Sequence, residues 1–182
     1  MQLTIADYLT DIVQNSIEAQ SSFIMLDIIE NGTILSFCIG DDGCGMDADT
    51  LQRVRDPFYT NGKKHAHRKV GLGIPFLLQS VDATGGTFDI ASMVGEGTSL
   101  SFTLDASSID CPPFGDLPGT FRSLMIFDGD YELAIMHKKG NRSYSVTRSQ
   151  LRDALGSLND AEALKLMNDF FLSQEEELQL EA

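Results

Sequence analysis

Apolar positions recur at helical spacing near the start of the chain. Leu9, Ile12, Val13, Ser16 and Ile17 trace one stripe, with Thr4 or Asp7 placed to cap it. This spacing predicts a helix running to about residue 19. Residues 23–30 and 33–39 read as strands, and Asn31-Gly32 between them is a strong short hairpin signal. A short helix is expected over 48–54, then a loop over 61–69 dense in Gly, Lys, His and Arg. The next helix is expected over 71–81, with Pro75 tolerable in its first turn or so. Gly85-Gly86 ends that segment, and strands over 87–92 and 99–104 are joined by Gly95-Glu96-Gly97-Thr98. Pro112, Pro113, Pro118 and Gly119 break the pattern, so residues 106–120 read as a linker. Beyond it, 121–127, 131–138 and 143–146 suggest a small antiparallel meander, followed by helices over 148–155 and 160–178. In the last helix Leu164, Met167, Phe170 and Phe171 fall at core spacing. No Lys or Arg follows Lys165, so the end around Glu175-Glu176-Glu177 is expected to fray. There is no internal repeat.

The 182 residues suffice for one full domain, or a domain with a small appendage. A hydrophobic content of 42% fits a globular protein with a real core. Net charge is −14, from 27 acidic and 13 basic residues. A surface that negative repels phosphate backbones, which argues against nonspecific nucleic-acid binding and docking on anionic membranes. Cys38, Cys44 and Cys111 share no metal-ligand spacing and read as free thiols in a reducing compartment. No apolar stretch reaches the ~20 residues of a membrane span. The start, Met1-Gln2-Leu3-Thr4, lacks the basic and apolar regions of a signal peptide. A soluble, cytoplasmic protein is the expectation.

Three constellations carry candidate chemistry. Asp41-Asp42-Gly43-Cys44-Gly45-Met46 follows a strand and can present one carboxylate at the floor of a pocket, with glycines giving clearance for a ligand. As a dinucleotide fingerprint it fails, because Asp56-Pro57-Phe58 and a basic loop stand where a second strand should follow. As a calcium loop it also fails, since Met46 and Gln52 occupy the positions that need Gly and Glu. Asp11, Asn15 and Glu18 share a polar helix face opposite the apolar stripe. An amide oxygen there can ligate Mg²⁺, and a carboxylate one turn earlier could orient or deprotonate a water. The loop holding Lys63, Lys64, His65, His67, Arg68 and Lys69 could be a cationic lid over a polyphosphate. It leads into Gly71-Leu72-Gly73, a helix start whose free N–H groups make an anion site. The two histidines lack further His or Cys partners that would make them a metal site.

Together these residues resemble the GHKL superfamily of ATP-binding domains: gyrase-type topoisomerases, the 90-kilodalton heat-shock chaperones, histidine kinases and MutL-type ATPases. Asp11-x-x-x-Asn15-Ser16-x-x-Ala19 resembles the Asn box in MutL wording, and Asp41-x-Gly43-x-Gly45 the box whose Asp reads adenine. Asp56-Pro57-Phe58-Tyr59-Thr60, Gly71-Leu72-Gly73 and Gly95-x-Gly97-Thr98 are similar to histidine-kinase stretches. The resemblance implies a two-layer α/β sandwich of Bergerat type over residues 1–105, a mixed sheet with helices on one face. Residues 121–182 would form a small α+β appendage. It further implies that ATP and Mg²⁺ lie between helices and lid, with Asn15 as the Mg²⁺ ligand and Asp41 as the adenine reader. Gly43, Gly45 and Met46 would line the adenine pocket, Thr98 would sit beside Asp41, and Gly71, Leu72 and Gly73 would cradle phosphates. Lys63 belongs to the lid.

The departures bear on activity. Hydrolysing members carry Glu where this chain has Asp11, a side chain shorter by about one methylene. Lys69-Val70 replaces a glycine usual in histidine kinases, and the stretch before Asn15 is too short for a hairpin bearing a phosphoacceptor histidine. The expected function is therefore a Mg²⁺-dependent slow ATPase with Asp11 as base, or a protein kinase acting on a partner in trans, as in the anti-sigma serine kinases. The alternatives are an ATP-gated binding module with little turnover and a scaffold that has lost nucleotide binding. Partner, pathway and oligomeric state are not legible.

Overall fold

The computed structural model describes residues 3–54 and 73–180. The first helix, α1 (Ile5–Glu18), begins with a reciprocal cap: Thr4 Oγ1 accepts the Asp7 N–H, and the Asp7 carboxylate accepts the Thr4 N–H at 2.8 Å. Two more of its initial N–H groups, on Ile5 and Ala6, donate to the carbonyls of Pro113 and Phe114 at 2.9 Å. The strands β1 (Phe23–Asn31) and β2 (Ile34–Asp41) form the hairpin that Asn31-Gly32 signals, with Gly32 at φ +61. Then come α2 (Ala48–Val54), α3 (Gly73–Ala83), β3 (Phe88–Met93) and β4 (Gly97–Asp105). The chain closes with α4 (Leu117–Ile126), β5 (Glu132–Lys139), β6 (Arg142–Thr147), α5 (Arg148–Leu155) and α6 (Ala161–Gln179).

These strands make one six-stranded sheet in the order β3-β4-β2-β1-β5-β6. Every pairing is antiparallel except β1 with β5, so the sheet is mixed. Ile24, Leu26 and Ile28, with Leu35, Phe37 and Ile39, are buried and share a core with Leu9, Val13, Leu77, Phe121 and Phe171 of the helices. Residues of the other parity, such as Met25, Asp27, Cys38 and Ser101, are half-buried or exposed. Period-two alternation thus sends one face of the sheet under the helices, the α/β arrangement expected. Phe37 and Phe102 stack at 4.5 Å between ring centroids and join β2 to β4 within that layer.

The C-terminal third departs from the expected pattern in three places. Residues 121–127 are not a strand; 121–126 belong to α4 and Phe127 is its C-cap, because Asp116 caps the Gly119 N–H at 2.9 Å and Pro118 fits the first turn, where its missing N–H costs nothing. The meander reduces to the hairpin β5–β6, and β5 pairs in parallel with β1 across eight residue pairs, from Phe23↔Glu132 to Glu30↔Lys139. The acidic end does not fray: Leu178 is buried, and Glu175 accepts from Tyr144 Oη at 2.6 Å and meets His137 Nδ1 at 2.9 Å. Met167 and Phe171 are fully buried, as their spacing implied. No helix among the described residues is long and apolar enough to cross a membrane.

Candidate functional site

One end of the sheet, on its helix-covered face, gathers the polar residues picked out from sequence. Register places Asp41 opposite Thr98 on β4, and Thr98 opposite Ser92 on β3, so three neighbouring strands contribute one polar row. Asp41 is held from two sides. Its Oδ2 accepts from Ser16 Oγ at 2.6 Å, and its Oδ1 accepts the Gly43 N–H at 2.9 Å. Each oxygen keeps lone-pair capacity for a ligand donor. Asp42, of opposite parity, turns away to the start of β1, where it accepts the N–H groups of Ser22 and Phe23 at 2.8 Å. The Ser22 hydroxyl, then the Phe23 N–H, hold the Asp42 carboxyl below the usual carboxylate range.

The loop from Gly43 to Met46 is pinned at each step. Cys44 N donates to Ala19 O at 2.9 Å, Gly95 N to Cys44 O at 2.8 Å, and Met46 N to Ser92 Oγ at 2.8 Å. The glycines expected to give clearance for a ligand also give clearance within the protein itself. A Cβ on Gly45 would lie 1.9 Å from Met93 O, and one on Gly97 1.9 Å from Asp41 O. A Cβ on Gly43 would meet Ser21 Oγ at 2.6 Å and Ala19 Cβ at 2.8 Å. This clearance lets the protein's own chain fold the loop tightly against Ala19, Ser21 and the turn between β3 and β4.

One turn along α1, the Asn15 amide nitrogen points to Asp11 Oδ2 at 3.5 Å. Only the nitrogen can donate to a carboxylate, so the amide oxygen is left for another partner, such as a hard cation. Asp11 in turn packs on the start of α3: its Oδ2 lies 2.1 Å from where a Cβ on Gly73 would be. Tyr8 Oη, hydrogen-bonded to Ser80 Oγ at 2.8 Å, fastens the same two helices together. Asp11, Asn15, Asp41, Gly43, Gly45, Met46, Gly73 and Thr98 therefore lie on α1, the end of β2, its following loop, the start of α3 and β4. Lys63, Gly71, Leu72, the lid over 61–69 and the stretch over 56–60 lie outside the described residues. Among the described residues no three His, Cys, Asp or Glu side chains converge as a metal site, so a cation here would lean on Asn15 and on ligand phosphates.

Two residues of this site were given no site role from sequence, although Ser16 falls within the Asn-box motif. Ser16, 4% exposed, sits on the apolar stripe yet donates to Asp41, and a hydroxyl at a core position was its available signal. Ser92, a hub between β3, β4 and the loop, had no such signal, because its partners lie on other segments.

Comparison with known proteins agrees with this geometry. The family described as histidine kinase-, DNA gyrase B- and HSP90-like ATPase matches residues 2–108. The chain is 36% identical over 76 residues to sensor histidine kinase YxdK of Bacillus subtilis, covering 41% of this chain and 22% of that protein. To sensor histidine kinase WalK of the same organism it is 28% identical over 106 residues, covering 55% of this chain and 17% of the relative. To sensor histidine kinase ZraS of Escherichia coli O157:H7 it is 28% identical over 109 residues, with coverages of 59% and 23%. The chain thus spans under a quarter of the length of these relatives. With the mixed sheet, the loop folded around Asp41 and a profile match over more than half its length, the chain belongs to the histidine kinase-, DNA gyrase B- and HSP90-like, or GHKL-type, family of ATP-binding domains.

Proposed function

We propose that this protein binds ATP with Mg²⁺ between α1, the Asp41 end of the sheet and the start of α3, and spends it by slow hydrolysis or by phosphoryl transfer to a protein partner in trans. The observation that carries this reading is the doubly held Asp41 carboxylate beside Thr98, with Asn15 adjacent to the Ser16 that orients it. In this reading Asp41 accepts the adenine amino group, while Gly43, Gly45, Met46 and Thr98 line the base. Gly73, together with Gly71, Leu72 and Lys63, contacts phosphates. Mg²⁺, held through the Asn15 amide oxygen, would neutralise phosphate charge. Asp11 holds the proton-accepting position, taking a proton from an attacking water or a partner hydroxyl. The similarity to sensor histidine kinases over their ATPase region supports the kinase branch, with the phosphoacceptor supplied by a partner. The acidic surface argues against nucleic acid as that partner, and a cytoplasmic site of action goes with ATP use.

One feature favours the second reading, an ATP-gated binding module with little turnover. Asp11 is shorter than Glu, and its Oδ2 is already turned to the Asn15 amide and the Gly73 backbone. Calorimetry with radiolabelled-ATP assays separates the two. ATP should bind only weakly without Mg²⁺, and Asp41→Asn should weaken binding roughly 10–100-fold, the worth of a hydrogen bond to a charged group. Asp11→Asn should leave affinity nearly unchanged and reduce phosphate release or partner labelling ~100-fold or more if Asp11 is a base. Turnover equal to that of Asp11→Asn would select the binding module. An unchanged affinity in Asp41→Asn would sink the assignment of the base site.

A further inference from the structure

Ser92 has a hydroxyl whose capacity is fully used. It donates to the Gly97 carbonyl at 2.9 Å, accepts the Met46 N–H at 2.8 Å and lies 2.9 Å from Thr98 Oγ1. A hydroxyl has one proton and two acceptor sites. The carbonyl of Gly97 cannot donate and the Met46 N–H cannot accept, so the Ser92 proton belongs to Gly97. The remaining contact must then be filled by the proton of Thr98. Thr98 is thereby committed as a donor to Ser92 and offers its lone pairs to anything else it meets. Its neighbour in the row, Asp41, is a carboxylate whose two oxygens already accept from Ser16 and Gly43. Both polar side chains that β2 and β4 contribute at this end of the sheet are acceptors.

We infer that Ser92 is a specificity-determining residue: by taking the Thr98 proton it makes the Asp41–Thr98 pair acceptor-only, so the site selects a 6-amino purine over a 6-oxo purine. This rests on the nucleotide reading above and adds the residue that sets its selectivity. At the 6-position a 6-amino purine brings two N–H donors. At the same position a 6-oxo purine brings a carbonyl oxygen, which would face two acceptors with no proton between them, and its N1–H, one ring position away, does not supply that missing donor. Ser92 is a positioning residue here, acting through Thr98 and through the Met46 backbone.

The test is calorimetric affinity for ATP and for inosine triphosphate, which differs at that edge alone, in the presence of Mg²⁺. In the wild-type protein ATP should bind at least tenfold tighter. Ser92→Ala frees the Thr98 hydroxyl to rotate and donate, so the inosine-to-adenosine ratio of dissociation constants should fall about 5–10-fold, the worth of roughly one hydrogen bond. Ser92→Thr, which keeps the hydroxyl, should restore the ratio. In a Thr98→Val background Ser92→Ala should change the ratio no further, the coupling expected of two groups acting as one. Thr98→Val leaves the Ser92 bonds to Gly97 and Met46 in place, so it should lower the ratio even if Ser92→Ala fails to fold. An unchanged ratio in either single variant, with ATP still bound, overturns the role of Ser92 alone. A wild-type protein that binds neither nucleotide overturns the nucleotide reading and this inference with it.

Discussion

Gly45 illustrates how a residue can be required by the protein's own backbone. It has φ +64, and the place its Cβ would take is 1.9 Å from the Met93 carbonyl oxygen. Gly140, at φ +57, has nothing within 4 Å of the same point. Alanine at either position meets the left-handed penalty of roughly 1–2 kcal/mol. At Gly45 it must also push a backbone carbonyl out of the β3–β4 turn. Gly45→Ala should therefore lower Tm by roughly 5–10 °C, and Gly140→Ala by under half as much. ATP affinity should fall only in the first, because Met46 and Ser92 move with the loop. Thermal melts and calorimetry on the two variants check this. Equal Tm losses would mean the Met93 contact relaxes freely.

At the scale of elements, the last helix is held by an ionic cluster. His137, 1% exposed on β5, meets Glu30 of β1 at 3.0 Å through Nε2 and Glu175 of α6 at 2.9 Å through Nδ1. Tyr144 of β6 also donates to Glu175, and Lys139 lies 3.6 Å from Glu30. Burial disfavours charge on His137, but hydrogen bonds to Glu175 and Glu30, and their charges, outweigh it and raise its pKa. Burial likewise disfavours charge on Glu30, but the bond and charge of His137 and the nearby Lys139 outweigh it and lower its pKa. The signs follow by linkage. The His137 contribution is full below about 6.5, the unfolded value, and is lost as pH rises through its raised folded value. The Glu30 contribution is full above its unfolded value near 4.3 and is lost as pH falls through its lowered folded one. Stability from this cluster should be greatest between about pH 5 and 6.5 and decline on the alkaline side. His137→Gln should flatten that decline and cost on the order of 3–5 kcal/mol at pH 6, since two carboxylates lose the cation between them. Urea melts from pH 5 to 9 check it, and parallel pH profiles for the two proteins would refute it.

At the C-terminal end of α4, Arg148 ties elements together through backbone carbonyls. It donates to the carbonyls of Met125 and Tyr131 at 2.8 and 2.9 Å, and its guanidinium lies 4.1 Å from the Tyr131 ring centroid. Sequence alone offers Arg148 only as the first residue of a helix. Its role as a cap on backbone brought in from α4 and the following turn depends on the fold.

For the molecule as a whole, the sheet runs through the boundary where the family match ends. Residues 2–108 match the family, yet β1 pairs with β5 along its length, and α4 and α6 share the core with α1. Removing residues 109–182 would uncover a long strand edge, a template for association, together with the apolar flank of α1. A protein of residues 1–108 should melt without a sharp transition or associate in size-exclusion chromatography, whereas the full chain should show one cooperative transition. A monomeric, cooperatively melting fragment would show that the C-terminal part only decorates the sheet.

What the sequence determined by itself is what local physics governs. The Thr4 cap and apolar stripe specify α1, Asn31-Gly32 specifies a hairpin, and alternation in β1 and β2 specifies one buried face. The ordered polar motifs around Asn15, Asp41 and Gly73 marked residues that the fold brings to one end of the sheet, because motif spacing survives in a linear string. Tertiary structure decided everything that needed partners distant along the chain. It packed the helix over residues 117–126 into the core, where Phe171 meets Phe121. It anchored an acidic tail through a histidine 38 residues away. It also turned the glycines of the Asp41 loop toward the protein's own chain and brought Ser92 within hydrogen-bond distance of Met46, Gly97 and Thr98. Hydrogen-bond direction and close backbone approach are properties of packed neighbours, and no single segment carries them.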